Sequence, residues 1–532
     1  MARDRLGIRP LHYTLRNGRL IFGSEIKSIL VHPDVPRRLD PVALSQIFTF
    51  WTTLSPRTAF EGIQELPPGH YLICRRGQLD VQRYWRVPLV PPHEQLEVPI
   101  GQISEAIHET LLDAVRIRLR ADVPVGSYLS GGLDSSAVTS LIVRNFNNRV
   151  RTFGITFEER DFDETDYQRE MVDHLQCHHS EVQATNKSIA THFPEAVWHC
   201  EKPLLRTAPL PMFHLSRLVR DNGFKVVLSG EGADEVFGGY NIFREAKIRR
   251  FWARDPKALR RADLIGALYP YIFNDPRRKR AARGFFARGL DQFEAPLYSH
   301  QLRWENTSRL KRFLSEETKG AMATYDPYEE VIDSLPESFG EADAFSRAQY
   351  LEMTIFLSNY LLSSQGDRMA MANSIETRLP YLDYRLVELM AQVPARWKIL
   401  GLDEKHILKR VFREQLPKRI VARAKHPYRA PIRQALLDHS GADRTREMLS
   451  KEAIERAGIF DANLVARLVD KNPETSHFSE VDNMALVGIL SSQLVHHQFI
   501  DTFASRTSGA ECVVDLLVDR RSHSSRDGKV AC

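Results

Sequence analysis

Residues 123–138 read VPVGSYLSGGLDSSAV. An apolar run suited to a buried strand ends in Ser130, Gly131 and Gly132; a carboxylate and two hydroxyls follow before small apolar residues resume. A glycine-rich turn at the carboxyl end of a parallel strand, opening a helix, points several backbone N–H groups at one spot, and the helix dipole adds positive potential there. Such a turn binds anions. Gly131 and Gly132 let phosphate oxygens approach the backbone, and Ser130, Ser135 and Ser136 add hydroxyl donors. Asp134 would repel a phosphate by direct contact, so its place is as a ligand to Mg²⁺ bridging the phosphates. No lysine follows the glycines, which separates this loop from GxxxxGK[ST]. The plainer reading is a strand-to-helix turn with Asp134 near the N-cap.

A second stretch weighs against that plainer reading. VVLSGEGADEVFGGY (226–240) is again an apolar strand ending in small residues and acids. At a strand end it opens onto the same edge of a parallel sheet, where ligands bind. Asp234 can then give the metal a second oxygen while Glu231 faces the reacting region.

The surrounding texture predicts an α/β fold with a doubly wound parallel sheet and a large helical lobe. Ile103, Ile107, Leu111, Leu112 and Val115 recur at helical spacing before the first strand. RTFGITF (151–157) and FKVVLS (224–229) read as further strands, with helical stretches around 134–147, 164–176 and 209–222. Beyond 240 strand signals fade and amphipathic helices dominate. Residues 1–90 read as β-rich, with hairpins at Asn17-Gly18 and Arg76-Gly77. A Pro-rich linker covers 91–100, the main domain 101–500, and a Ser/Arg-rich mobile tail 501–532.

Composition narrows the function. The 532 residues are 43% hydrophobic and 27% charged, with a net charge of +5, as in an ordinary globular protein. No stretch reaches the roughly 18 apolar residues of a membrane helix, and MARDRLGIRPLHY has no signal-peptide core. Cys74, Cys177, Cys200, Cys512 and Cys532 form no CxxC pair and read as reduced cytoplasmic thiols. Cys177-His178-His179 lacks a second ligand pair nearby and reads as plain surface. The basic block PRRKRAARGFFARG (276–289) reads as a solvated helix face, since stacking aromatics and a nucleic-acid-binding motif are missing.

SGGLDSS resembles the pyrophosphate loop of the N-type ATP pyrophosphatases, whose fold is adenine nucleotide alpha hydrolase-like. Together with LSGEGADEVFGGY, GDRMAMANSIETRLPYLDYRLVE (366–388) and HILKRVFREQLPKRIVARAKHPYRAPI (406–432), it is similar to glutamine-dependent (class B) asparagine synthetase. RDRLGIRPLHY and FGSEIKSIL resemble the last part of that family's N-terminal-nucleophile glutaminase domain. The resemblance implies that ATP activates the β-carboxylate of aspartate as β-aspartyl-AMP with release of pyrophosphate, and that ammonia then attacks. It implies an ATP site of Leu129, Ser130, Gly131, Gly132, Asp134, Ser135, Ser136, Ile155, Ser229 and Gly230, with Mg²⁺ on Asp134 and Asp234. Glu231, Lys425 and Arg206 become the catalytic candidates: Glu231 beside the intermediate, Lys425 neutralising charge at phosphorus or carbon, and Arg206 gripping a substrate carboxylate. Lys425 read plainly is a surface lysine, Arg206 a loop salt bridge. Asp367 and Arg368 read as braces of the helical lobe.

The resemblance breaks at the nucleophile. The family's glutaminase uses an N-terminal cysteine, whereas this chain opens MARDR and its first cysteine, Cys74, falls within a predicted strand. The expectations are a gene start set too far downstream, a separate glutaminase subunit, or use of free ammonia, with segment 1–85 loosely held. The partners expected are small molecules (ATP, aspartate or another carboxylic acid, ammonia) and a homodimer mate or glutaminase subunit, with neither nucleic acid nor membrane. A β-lactam- or macrolactam-forming ligase, or a natural-product amidotransferase, is the alternative. A tRNA-modifying pyrophosphatase and a non-catalytic subunit rank lower.

Overall fold

A computed structural model describes residues 1–146, 150–159, 163–273, 275–425, 430–438, 443–471 and 478–507. The N-terminal segment begins with the first hairpin, β1 (His12–Arg16) against β2 (Arg19–Gly23). Asn17 and Gly18 turn the chain at φ 50° and 73°, the left-handed pair that a two-residue hairpin requires. Two helices follow, α1 (Ile26–Leu30) and α2 (Pro41–Phe50). The short strand β3 (Gln64–Glu65) then pairs with β1, and the second hairpin joins β4 (His70–Arg75) to β5 (Gln78–Arg83).

From Ile100 the chain becomes α/β. Helix α3 (Ile100–Arg118) buries Ile103, Ile107, Leu111, Ala114 and Val115 along one stripe. Each larger side chain so buried contributes roughly 1.5–3 kcal/mol. The sheet is built from β6 (Val125–Tyr128), β7 (Arg151–Phe157), β8 (His178–Ala184), β9 (Val226–Leu228) and β10 (Glu376–Arg378). All its pairings are parallel, in the order β10-β9-β6-β7-β8. Helices α4 (Leu133–Asn145) and α5 (Thr165–Leu175) pack with α3 on one face through Ala137, Val138, Leu141 and Met171. α6 (Asn186–Cys200) leads to α7 (Pro209–Asp221), whose Leu215 and Val219 cover Phe153 and Val227 on the other face. The chain runs outward from β6 to β7 and β8, then returns to β9 on the far side of β6. The carboxyl ends of β6 and β9 therefore flank a topological switch point, where a crevice opens.

The helical lobe includes α8 (Ala233–Phe237), α9 (Asn241–Ala253), α10 (Tyr298–Ser308), α11 (His406–Phe412) and α12 (Glu480–His496). Glu352–Asp367 is a π-helix sixteen residues long. The basic block forms a helix, Pro276–Phe286, with Arg277, Arg278 and Arg280 exposed. Among the described residues no helix is long and apolar enough to cross a membrane.

Four expectations change. The first 90 residues carry helices as well as strands, and α2 is buried along most of its length. Cys177-His178-His179 leads into strand β8 at the sheet edge, where His179 Nδ1 meets Thr152 Oγ1 at 2.9 Å. The N-terminal segment is not loosely held: Ile26, Ile29, Leu44, Ile47, Phe48 and Phe60 share one apolar core with Met484, Leu486, Leu490 and Phe499 near the other end of the chain. The chain also stays helical to Thr507; Cys512, Cys532 and the rest of the predicted tail lie outside the described residues, as do residues 426–429 of the fourth motif.

One carboxylate fastens the N-terminal segment. Glu201 is fully buried and accepts hydrogen bonds from the backbone N–H groups of Ile26 (2.8 Å) and Lys27 (2.7 Å) at the start of α1. Arg368 Nη2 stands 3.1 Å from the same carboxylate, and Arg9 pairs with Asp367. The predicted braces thus tie the N-terminal segment to the α/β body. Glu201→Ala leaves Arg368 buried without its closest partner. We expect a loss of about 3–5 kcal/mol in urea denaturation, with cleavage inside residues 1–66 preceding cleavage elsewhere in limited proteolysis.

Candidate functional site

The loop after β6 is shaped by its own hydroxyls. Ser135 Oγ accepts from the Ser130 amide at 3.1 Å, and Ser130 Oγ accepts from the Gly132 amide at 3.3 Å. Gly131 turns at φ +70°, and a Cβ there would run into the backbone of Tyr167. The turn delivers Asp134 to the first turn of α4. After β9, Ser229–Gly232 delivers Asp234 to the first turn of α8. The two loops touch: a Cβ on Gly230 would lie 2.7 Å from the Ser135 amide nitrogen. Only glycine permits this approach, and it brings the two aspartates together.

Two lysines close the cluster. Lys405, which caps α11, places Nζ 2.6 Å from Asp134 Oδ2 and 2.5 Å from Asp234 Oδ1. Lys425 Nζ lies 2.6 Å from Asp234 Oδ2, and its backbone N–H donates to Glu404 at 3.0 Å. Burial pushes the Asp234 carboxyl up, but the two ammonium groups outweigh it and hold the group at about 2. Burial pushes the Glu231 carboxyl up to about 7, with Lys425 pulling against it. Lys425 is shifted down by burial and further up by Asp234 and Asp134, so it stays charged.

A cavity of about 160 Å³ lies over this cluster. Of the residues singled out in the sequence, Leu129, Ser130, Gly132, Asp134, Ser135, Ile155, Ser229, Gly230, Glu231, Asp234 and Lys425 line it. Gly131 shapes the turn without lining the cavity, and Ser136 is fully buried with its hydroxyl unpaired. Arg206 lies elsewhere. Its guanidinium sits 4.7 Å from the Trp51 ring centroid and pairs with Glu480 at the start of α12. It borders a second cavity, of about 480 Å³, which meets the first at Glu231, Asp234, Gln365 and Lys425. A narrow cavity of about 20 Å³ also reaches Glu231, from Ile8 and Arg9 of the N-terminal segment.

Sequence reading missed Lys405. It stands one residue before the quoted motif HILKR and 271 residues from Asp134, so spacing carried no signal. Among the described residues no group of three or more His, Cys, Asp or Glu side chains could hold a metal. The pair Asp134 and Asp234 does converge on a single ammonium. A two-carboxylate seat suits Mg²⁺, which usually takes one or two carboxylates and completes its shell with substrate phosphates and water.

Comparison with known proteins agrees with this geometry. Residues 106–497 match the asparagine synthase family and residues 1–85 match a glutamine amidotransferase domain. The chain is 29% identical over 441 residues to asparagine synthetase [glutamine-hydrolyzing] 1 of Bacillus subtilis, covering 82% of this chain and 66% of that protein. It is 31% identical over 445 residues to asparagine synthetase [glutamine-hydrolyzing] 3 of the same organism, covering 80% and 64%. To amidase chyE of Penicillium rubens it is 28% identical over 519 residues, covering 91% and 74%. The chain thus spans about two-thirds of the length of the two Bacillus relatives.

Removing Lys405 strips Asp134 of the only ammonium in contact with it among the described residues. Lys405→Met is expected to lower stability by about 3–5 kcal/mol at pH 7, the cost of leaving a buried carboxylate uncompensated. Urea denaturation of the variant beside the unaltered chain measures it.

Proposed function

Since the chain belongs to the asparagine synthase family, we propose that it is an ATP-dependent amide ligase that adenylates a carboxylic acid and passes the acyl group to nitrogen. The observation that carries this reading is the convergence of Asp134, Asp234, Lys405 and Lys425 under a glycine-rich anion loop in one cavity. A carboxylate oxygen bonds to the α-phosphorus as the bond to pyrophosphate breaks; nitrogen then bonds to the acyl carbon and AMP leaves. Backbone at Leu129, Ile155 and Gly230 frames adenosine, while Ser130, Gly132 and Ser135 face the phosphates. Asp134 and Asp234 would hold Mg²⁺, which supplies neutralisation of the departing pyrophosphate. Lys425 offsets charge building on phosphorus or on the acyl carbon. Glu231, whose carboxyl burial raises to about 7, would in its carboxylate form take the proton that the nitrogen sheds.

In the family's own pairing the acid is L-aspartate and the nitrogen is ammonia, giving L-asparagine, AMP and pyrophosphate through β-aspartyl-AMP. Small molecules are then the partners. A second reading keeps the chemistry with another acid, and similarity to the Penicillium protein named an amidase favours it.

The test is ATP–pyrophosphate exchange with a panel of carboxylic acids that includes aspartate. Exchange dependent on an added acid supports the reading; no exchange with any acid refutes it. Asp134→Ala should reduce exchange at least about 10²-fold, because the leaving group loses its metal-holding carboxylate. An undiminished rate would remove Asp134 from the mechanism.

A further inference from the structure

The nucleotide cavity and the 480 Å³ chamber meet where the chemistry is proposed to occur, at Glu231, Asp234 and Lys425. The chamber's walls are aromatic. Phe50 packs edge-on to Trp304 with centroids 4.7 Å apart, and Trp51 meets Phe356 and Tyr360 at 5.7 and 5.9 Å. The π-helix supplies much of one wall in two rows, Phe356-Leu361 and Ile355-Tyr360-Gln365, each spaced five residues apart as i→i+5 bonding dictates, and Leu351 just before it extends the first row.

The charges in this wall are matched to one another. Arg206 pairs with Glu480, and His300 Nε2 lies 3.1 Å from Glu352. Arg303 lies 2.7 Å from Glu245. A small zwitterion gains little from Arg206 and Arg303, since each already faces a carboxylate. The volume falls in the roughly 300–1,000 Å³ range of pockets that enclose drug-sized ligands. The 20 Å³ cavity that also reaches Glu231 has room only for a molecule about the size of water.

We propose that the chamber binds the body of a bulky, aromatic or apolar carboxylic acid, whose carboxylate reaches Lys425 and the nucleotide. The inference rests on the adenylation reading above and names the class of its acid.

The test compares L-aspartate with N-benzyloxycarbonyl-L-aspartate in ATP–pyrophosphate exchange on the full chain. The reacting side chain is the same in both, and only the second carries an aromatic body. We expect the aryl derivative to show a KM at least tenfold lower than aspartate. Phe356→Ala should raise that KM at least tenfold and leave the KM for ATP unchanged, which also reports that the variant is folded; Phe356→Leu should lie between. Exchange with aspartate alone, or a Phe356→Ala variant with an unchanged KM for the aryl acid, overturns the inference and spares the adenylation reading. Exchange with neither these acids nor any other acid of the panel overturns both.

Discussion

Two carboxylates cannot share a buried crevice unless cations hold them there, and much of this structure serves that requirement. Asp134 and Asp234 arrive on separate strand-end loops, and Lys405 and Lys425 arrive from the helical lobe. The parallel sheet supplies the crevice, because its order reverses between β6 and β9. The glycines at 131 and 230 let the two loops meet. The lobe then closes the site from above: Glu404 pairs with Arg244 at 2.6 Å and orients the Lys425 backbone. A site assembled this way is fixed by long-range packing, so its geometry is as rigid as the core beneath it.

The same arrangement explains which parts were legible in the sequence. SGGLDSS and SGEGADE each compress a strand end, a turn and a helix start into a few residues, so local chemistry revealed Asp134, Asp234 and Glu231. The hairpins were legible because Asn17-Gly18 and Arg76-Gly77 adopt the left-handed conformation their positions demand. Helix α2 was not. PVALSQIFTF is buried on nearly every side, so it has no polar face to mark a helical period. β8 reads HHSEVQA because it is an edge strand and needs little apolar surface. Lys405 was hidden because a partner so far along the chain leaves no local pattern. The chamber was hidden for a different reason: its wall repeats every five residues, a period that neither helix nor strand templates contain.

The separation of tasks between cavities also bears on Arg206. Read from sequence, it grips a substrate carboxylate; in the structure it stacks on Trp51 and is held by Glu480. An arginine so engaged presents its flat face and its alkyl stem to the chamber. A substrate carboxylate approaching Nη1 would compete with Glu480 for it.

The shared core between the two ends of the chain carries a kinetic consequence. Phe48 meets Phe460 and Phe60 packs edge-on to Phe499, so the apolar cover over this segment is completed only when the last described helices are in place. Synthesis proceeds at about 5–20 residues per second. The final part of that cover therefore arrives on the order of tens of seconds after Ile26, Ile47 and Phe48 are made, whereas Phe193 and Phe213 of the same core are available earlier. Contacts that span so much sequence slow folding and lengthen exposure to aggregation. Completion of this core is consequently a late folding step, set by contacts between sequence-distant parts of the described chain.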